Sequence, residues 1–145
     1  MSYVNVMLHL VWCTKDRLPL LTANVKPTIL NHIRQNAMAK GIFIDTLDGH
    51  RDHIHALIGL NAEMSVSKVM QLIKGESSFW INRERLFTHS FEWAVDYFAI
   101  SVSQSSLERV RFYIRNQEHH HKNVSFKDEY EQLKKHCETP HTTTS

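Results

Sequence analysis

The chain has two cysteines in 145 residues, Cys13 and Cys137, near opposite ends and without CxxC spacing. That argues for reduced thiols and against a disulfide scaffold. No apolar run approaches the roughly 18 residues of a membrane span. The N-terminus shows no basic segment followed by a small-residue cleavage site, so a secreted product is not expected and a cytoplasmic one is. The formal charge is only +2. Composition therefore does not announce a polyanion partner, although a phosphate needs only a local basic patch. No internal repeat is present. An apolar share of 42 % over 145 residues suits one domain with a real core. Histidine, by contrast, is abundant, with 11 copies.

Val4, Val6, Leu8, Leu10 and Trp12 alternate with Tyr3, Asn5, Met7 and His9, which predicts a first strand with one core face and one mixed face. Lys15 and Arg17 follow in a loop, open either to solvent or to phosphate. The spacing of Ile29, Leu30, Ile33, Ala37 and Met38 predicts a helix over 22–40, stopped by Gly41. Residues 42–47 read as a second strand, turning through 48–51 into a third over 52–60. Ser65 or Ser67 caps a helix to about Arg85 whose stripe is Val66, Val69, Met70, Ile73, Ser77, Trp80 and Ile81. Lys68 and Lys74 lie outside that stripe. Gly75 within it suggests close packing. Residues 86–96 read as an aromatic loop, and Phe98, Ile100 and Val102 as alternate positions of a fourth strand. Ser105 with Glu108 fits a capping box opening a last helix to about His120. Residues 1–125 form the expected domain. Residues 126–145 read as a polar tail, partly disordered around Thr142–Thr144, with a short helical possibility over 130–136.

The order strand-helix-strand-strand-helix-strand-helix predicts an α+β, ferredoxin-like (RRM-like) split βαβ sandwich. Its antiparallel sheet would carry helices on one face. Even positions of the first and third strands should meet those helices, leaving His9, His53 and His55 on an open face.

His53-Ile54-His55 carries the chemistry. Side chains alternate along a strand, so both imidazoles point the same way and can make half of a metal site. On the last helix, Tyr113 and Gln117 are four residues apart and share a side, with Arg109 and His120 nearby. The stripe of Leu107, Val110 and Ile114 would dock beside them. The tract His119–His121 reads as a solvated helix end.

Tyr113-Ile114-Arg115-Asn116-Gln117, with His53-Ile54-His55 and Ser101-Val102-Ser103, resembles the single-tyrosine transposases of the HUH nuclease superfamily. These are the compact insertion-sequence transposases and the related REP-associated tyrosine transposases. The likeness extends through His9–Lys15, Ser65–Lys68, Lys74–Ser78 and Asn116–His120, in order, over roughly residues 3–130. Asp96 and Arg51 depart from the pattern, standing where glycine and proline are expected.

The resemblance implies cleavage and rejoining of single-stranded DNA, usually beside a hairpin. Tyr113 would be the nucleophile, forming a 5′-phosphotyrosine link. His53, His55 and Gln117 would hold Mg²⁺ or Mn²⁺, with Asp52 supporting an imidazole. His9, Lys15, Arg17, Lys68, Lys74, Arg109 and His120 are candidate DNA contacts. The implied assembly is a homodimer, and no nucleotide cofactor is needed because the covalent link conserves the phosphodiester energy. Two alternatives are a non-catalytic hairpin-binding module and a metal-dependent hydrolase that uses the histidines to activate water.

Overall fold

The computed structural model describes residues 2–122 and 124–138, so Thr142–Thr144 lie outside the described residues. Strands β1 (Met7–Thr14), β2 (Phe43–Gly49), β3 (His53–Gly59) and β4 (Trp93–Val102) form one sheet in the order β2-β3-β1-β4. Every pairing is antiparallel. Helix α1 (Lys26–Ala39) links β1 to β2. Helices α2 (Val66–Met70) and α3 (Glu76–Arg83) link β3 to β4. The chain closes with α4 (Leu107–Arg115), α5 (Gln117–His120) and α6 (Phe126–Cys137). This is the expected ferredoxin-like order.

The even positions of β1 and β3 behave as their alternation predicts. Leu8, Leu10, Trp12, Ile54, Ala56 and Ile58 are buried in one cluster with Ile29 and Ile33 of α1, Val69 and Met70 of α2 and Ile81 of α3. Each fully buried Ile or Leu contributes roughly 1.5–3 kcal/mol, so this layer is the main core.

The other sheet face is not open. Leu57 packs with Leu107 and Ile114 of α4, and Val11 with Phe126 and Leu133 of α6. The residues from 126, read as a polar tail, therefore supply a helix over Phe126–Cys137 that covers the odd positions of the sheet. Its apolar residues recur at i, i+4 and i+7 (Phe126, Tyr130, Leu133), and they need a surface. Val11 of β1, with Phe98 and Ile100 of β4, provides it.

Several boundaries differ from expectation for local reasons. Residues 93–96, placed in a loop, extend β4. The helix expected to run from Ser65 to Arg85 has Ser65 as its cap, accepting from Lys68 N at 3.1 Å. It widens to a π turn over Gln71–Gly75, where Lys74 Nζ donates to Ala94 O at 2.7 Å and Val95 O at 2.8 Å. Gly75 marks no close packing, since a Cβ there would meet nothing within 4 Å. The Ser105–Glu108 box does not form. A 3-10 turn over Gln104–Ser106 precedes α4, and Glu108 instead pairs with Arg111. Gly41, at φ 77, ends α1 as predicted.

One ion pair aims the last helices. A register shift between Ile44 and Thr46 accompanies Asp45, which receives Arg111 Nε at 2.9 Å and Nη2 at 2.8 Å. This two-point fork ties α4 to β2 two residues before Tyr113. The helix then breaks at Asn116 (φ −106, ψ 28), whose Nδ2 donates to Phe112 O at 2.8 Å. The break redirects the chain so that Gln117 enters the interior.

Candidate functional site

His53 and His55 are both fully buried on β3, facing α4–α6 from the odd side of the sheet. They stand opposite Cys13 and Val11 of β1. His53 Nδ1 lies 2.7 Å from Asp52 Oδ1 and donates to it, so Nε2 turns inward. His53 Nε2 lies 3.1 Å from Gln117 Oε1. His55 Nδ1 lies 2.8 Å from His9 Nε2, so His9 stands directly behind it. Tyr113 reaches the same place from α4, its ring centroid 5.4 Å from that of His55. Gln117 Nε2 donates to Tyr113 O at 3.2 Å, which turns its carbonyl oxygen toward His53.

The centre of this arrangement is Glu129 of α6, 2 % exposed. Its Oε1 lies 3.0 Å from His53 Nε2 and 3.1 Å from His55 Nε2. Its Oε2 accepts the Tyr113 hydroxyl and lies 3.0 Å from His120 Nε2. The His120 approach is close but misaligned for a hydrogen bond. Phe126 seals one side, its ring stacked on His53 at 3.8 Å and 7°.

Burial opposes charge on all these groups, and the neighbours overturn it only at Glu129 and His53. For Glu129, burial favours the neutral acid. The imidazoles of His121, His53 and His55 outweigh it and hold the carboxyl well below the usual range. For His53, burial favours the neutral ring, but the Asp52 and Glu129 carboxylates raise its pKa. His55 lacks that excess of carboxylate, and burial lowers it to about 4. His9 falls to about 3, through burial and then the nearby His55. Tyr113 is pushed up, first by burial and then by its bond to Glu129. A buried carboxylate thus sits ionised beside two histidines. The group His53, His55 and Glu129 offers three ligand atoms within 4.8 Å and could hold a metal ion.

The other candidate residues divide by position. Arg109 and His120 border, with His9 and Tyr113, a cleft of about 600 Å³ between β4, α4 and α6. Asp52 is on His53. Lys15 pairs with Glu92 at 2.9 Å away from the cleft. Arg17, at φ 53, lays its guanidinium over the Tyr130 ring at 4.5 Å, outside the histidine cluster. Lys68 and Lys74 belong to the helical layer on the opposite face.

Two members of the cluster, Glu129 and His121, escape the sequence motifs. The signal for Glu129 was its place within the stripe Phe126, Tyr130 and Leu133, where a carboxylate must find a partner once docked. His121 was hidden in a tract of three histidines, where only the end of α5 decides which ring turns inward.

Comparison with known proteins bears on the family and the fold. The family described as transposase IS200 like matches residues 2–117. The ISDra2 transposase TnpA of Deinococcus radiodurans is 24 % identical over 115 residues, covering 75 % of this chain and 81 % of the relative. A crystal structure of a transposase from Deinococcus radiodurans R1 superposes with TM-score 0.62 at 25 % identity, over 81 % of this chain and 95 % of that one. A REP-associated tyrosine transposase bound to a REP hairpin gives TM-score 0.64 at 14 % identity, over 100 % of this chain and 93 % of that one, and so shares the fold. No helix among the described residues is long and apolar enough to cross a membrane.

Proposed function

The chain belongs to the IS200-like transposase family, and from that premise we propose that it cuts and rejoins single-stranded DNA through Tyr113, at sites flanked by hairpins. The observation that carries this is the convergence, within one chain, of the Tyr113 hydroxyl, His53, His55 and Gln117 around one carboxylate. A pure binding module needs no such convergence. The structural neighbour that holds a REP hairpin supports a hairpin-bearing substrate.

Tyr113 Oη attacks the scissile phosphorus. An O–P bond to the tyrosine forms as the bond to the 3′ oxygen breaks, leaving a 5′-phosphotyrosine and a 3′-hydroxyl. Glu129 Oε2 accepts the phenolic hydrogen in the structure and so orients the attacking oxygen. With its carboxyl held well below the usual range it is a weak base, and the phenolic proton passes through water to the departing 3′ oxygen. A free 3′-hydroxyl reverses the step on a second end, with no nucleotide cofactor. His53, His55 and Gln117 would hold a divalent ion, Mg²⁺ or Mn²⁺, and Glu129 Oε1 faces the same point. When bound, such an ion would polarise a phosphate oxygen and favour in-line displacement. Asp52 fixes the His53 ring, and His9 fixes His55. The cleft bordered by Arg109, His120 and Tyr113 is the way in for the strand. Lys15, Arg17, Lys68 and Lys74 are candidate contacts for more distant phosphates, and a homodimer is the proposed assembly.

The test is a denaturing gel with hairpin-flanked single-stranded DNA and either metal. Wild type should give a protein–DNA adduct, absent from Tyr113→Phe and His55→Ala. An adduct from Tyr113→Phe would exclude the tyrosine mechanism. Cleavage without adduct, surviving that substitution, would favour a hydrolase. Binding without cleavage in the wild type would favour a hairpin-binding module.

A further inference from the structure

The donor set around Glu129 is larger than two imidazoles and a carboxamide. His121 follows α5 with its side chain 2 % exposed. Its Nδ1 lies 2.8 Å from Val124 O. A carbonyl oxygen only accepts, so Nδ1 carries the proton, and in the neutral ring Nε2 presents a lone pair. That Nε2 lies 3.1 Å from His53 Nε2, 3.2 Å from Gln117 Oε1 and 3.4 Å from Glu129 Oε1. His53 is held the same way, its Nδ1 spent on Asp52 and its Nε2 facing inward. With both rings neutral, as metal ligands must be, two ring nitrogens and two acceptor oxygens converge with no hydrogen among them.

Lone pairs brought together in a buried place repel unless a positive charge sits among them. The separations bear on what that charge is. Ligands bound at about 2.1 Å stand about 3.0 Å apart along the edge of an octahedron and about 3.4 Å apart in a tetrahedron. The donor pairs here, from 3.0 to 3.4 Å, fall in that range. Ca²⁺, which takes oxygen ligands, does not suit the ring nitrogens.

We propose that His121 is a further ligand of this metal centre, which thereby combines three imidazoles with the Gln117 and Glu129 oxygens and favours a first-row transition ion over Mg²⁺. The proposal rests on the metal centre inferred above and extends its ligand set. Mg²⁺ prefers oxygen ligands and gives up water reluctantly, whereas imidazole suits Mn²⁺, Co²⁺ and Zn²⁺ progressively better. His119, two residues earlier in the tract and exposed, provides an internal control.

The experiment uses the full chain freed of metal by chelation, titrated with Co²⁺ and separately with Mg²⁺ by calorimetry. The visible absorption of bound Co²⁺ reports its nitrogen ligands. Wild type should bind Co²⁺ more tightly than Mg²⁺. His121→Ala should weaken Co²⁺ by about tenfold or more and alter its spectrum, with a smaller change for Mg²⁺, while His119→Ala should match wild type. Should His121→Ala not fold, His121→Gln carries the same test, with a weakened and altered Co²⁺ complex expected. An unchanged Co²⁺ affinity and spectrum in a folded His121 variant, or wild-type binding that favours Mg²⁺, would overturn the proposal and leave the metal centre standing. No binding of either ion by wild type would remove both.

Discussion

Replacing Phe126 by Ala should release α6 from the sheet without unfolding the domain. A helix of 12 residues is marginal by itself in water, so α6 depends on what it docks against. Its anchors are Phe126, Tyr130 and Leu133, packed on Val11, Phe98 and Ile100. Phe126 is the largest of the buried ones and also covers His53 face to face. Truncating a buried Phe costs about 3–5 kcal/mol in a closed core. At the first turn of a docked helix the lower end applies, about 3 kcal/mol. At about 1.4 kcal/mol per decade, local opening of α6 should rise on the order of 100-fold. Hydrogen exchange read by mass spectrometry over residues 126–137 measures this directly, with β1 and β3 as the internal reference. Protection over 126–137 should fall by that factor while the strands keep theirs. Protection unchanged to within about threefold would mean that Phe126 does not hold the helix. An equal loss across β1 and β3 would mean that α6 is part of one cooperative unit with the core. Either outcome refutes the local-docking account.

Other perturbations follow from single contacts. The Arg111 guanidinium holds the Asp45 carboxyl below its ordinary 3.8, despite partial burial acting the other way. A depressed folded pKa gives stability that is full above 3.8 and is lost as pH falls through the lower folded value. Asp45→Asn should therefore melt below wild type at neutral pH, with the gap closing in acid; a gap unchanged down to about pH 2 would exclude this ion pair as its source. Trp93 Nε1 donates to Ser77 Oγ at 2.9 Å in the core. Ser77→Ala strands that N–H and should cost about 1–3 kcal/mol in urea denaturation, and adding Trp93→Phe should recover part of the loss. A neutral Ser77→Ala would show that the indole finds another partner.

The sheet and its core were legible because strict alternation in β1 and β3 leaves only one buried face for Leu8, Leu10, Trp12, Ile54 and Ile58. The same alternation put His53 and His55 on one side, and helical spacing put Tyr113 near Gln117. The break at Asn116 was not legible, since nothing in Tyr113–Gln117 forbids a continuous helix. Only the docked chain shows that Gln117 must turn to meet His53. The π turn at Gln71–Gly75 was hidden for a related reason: its Lys74 seeks the carbonyls of Ala94 and Val95, about twenty residues on, and local propensity carries no trace of them.

The site itself shows why motif spacing stops short. His53 and His55 are fixed by a strand period of two, which any short segment displays. Glu129 is fixed by tertiary contact, because Phe126, Tyr130 and Leu133 form a stripe only when helical, and the polar residues between them mask that stripe in composition. Yet Glu129 joins the parts, with Oε1 on His53 and His55 and Oε2 on the Tyr113 hydroxyl. One carboxylate therefore sets the electrostatics of the histidine cluster and of the tyrosine together. Substituting it would disturb both, so it cannot separate their roles. Tyr113→Phe keeps the ring and removes only the hydroxyl, while His121→Gln leaves the tyrosine untouched. These two changes divide the site along the line that Glu129 bridges.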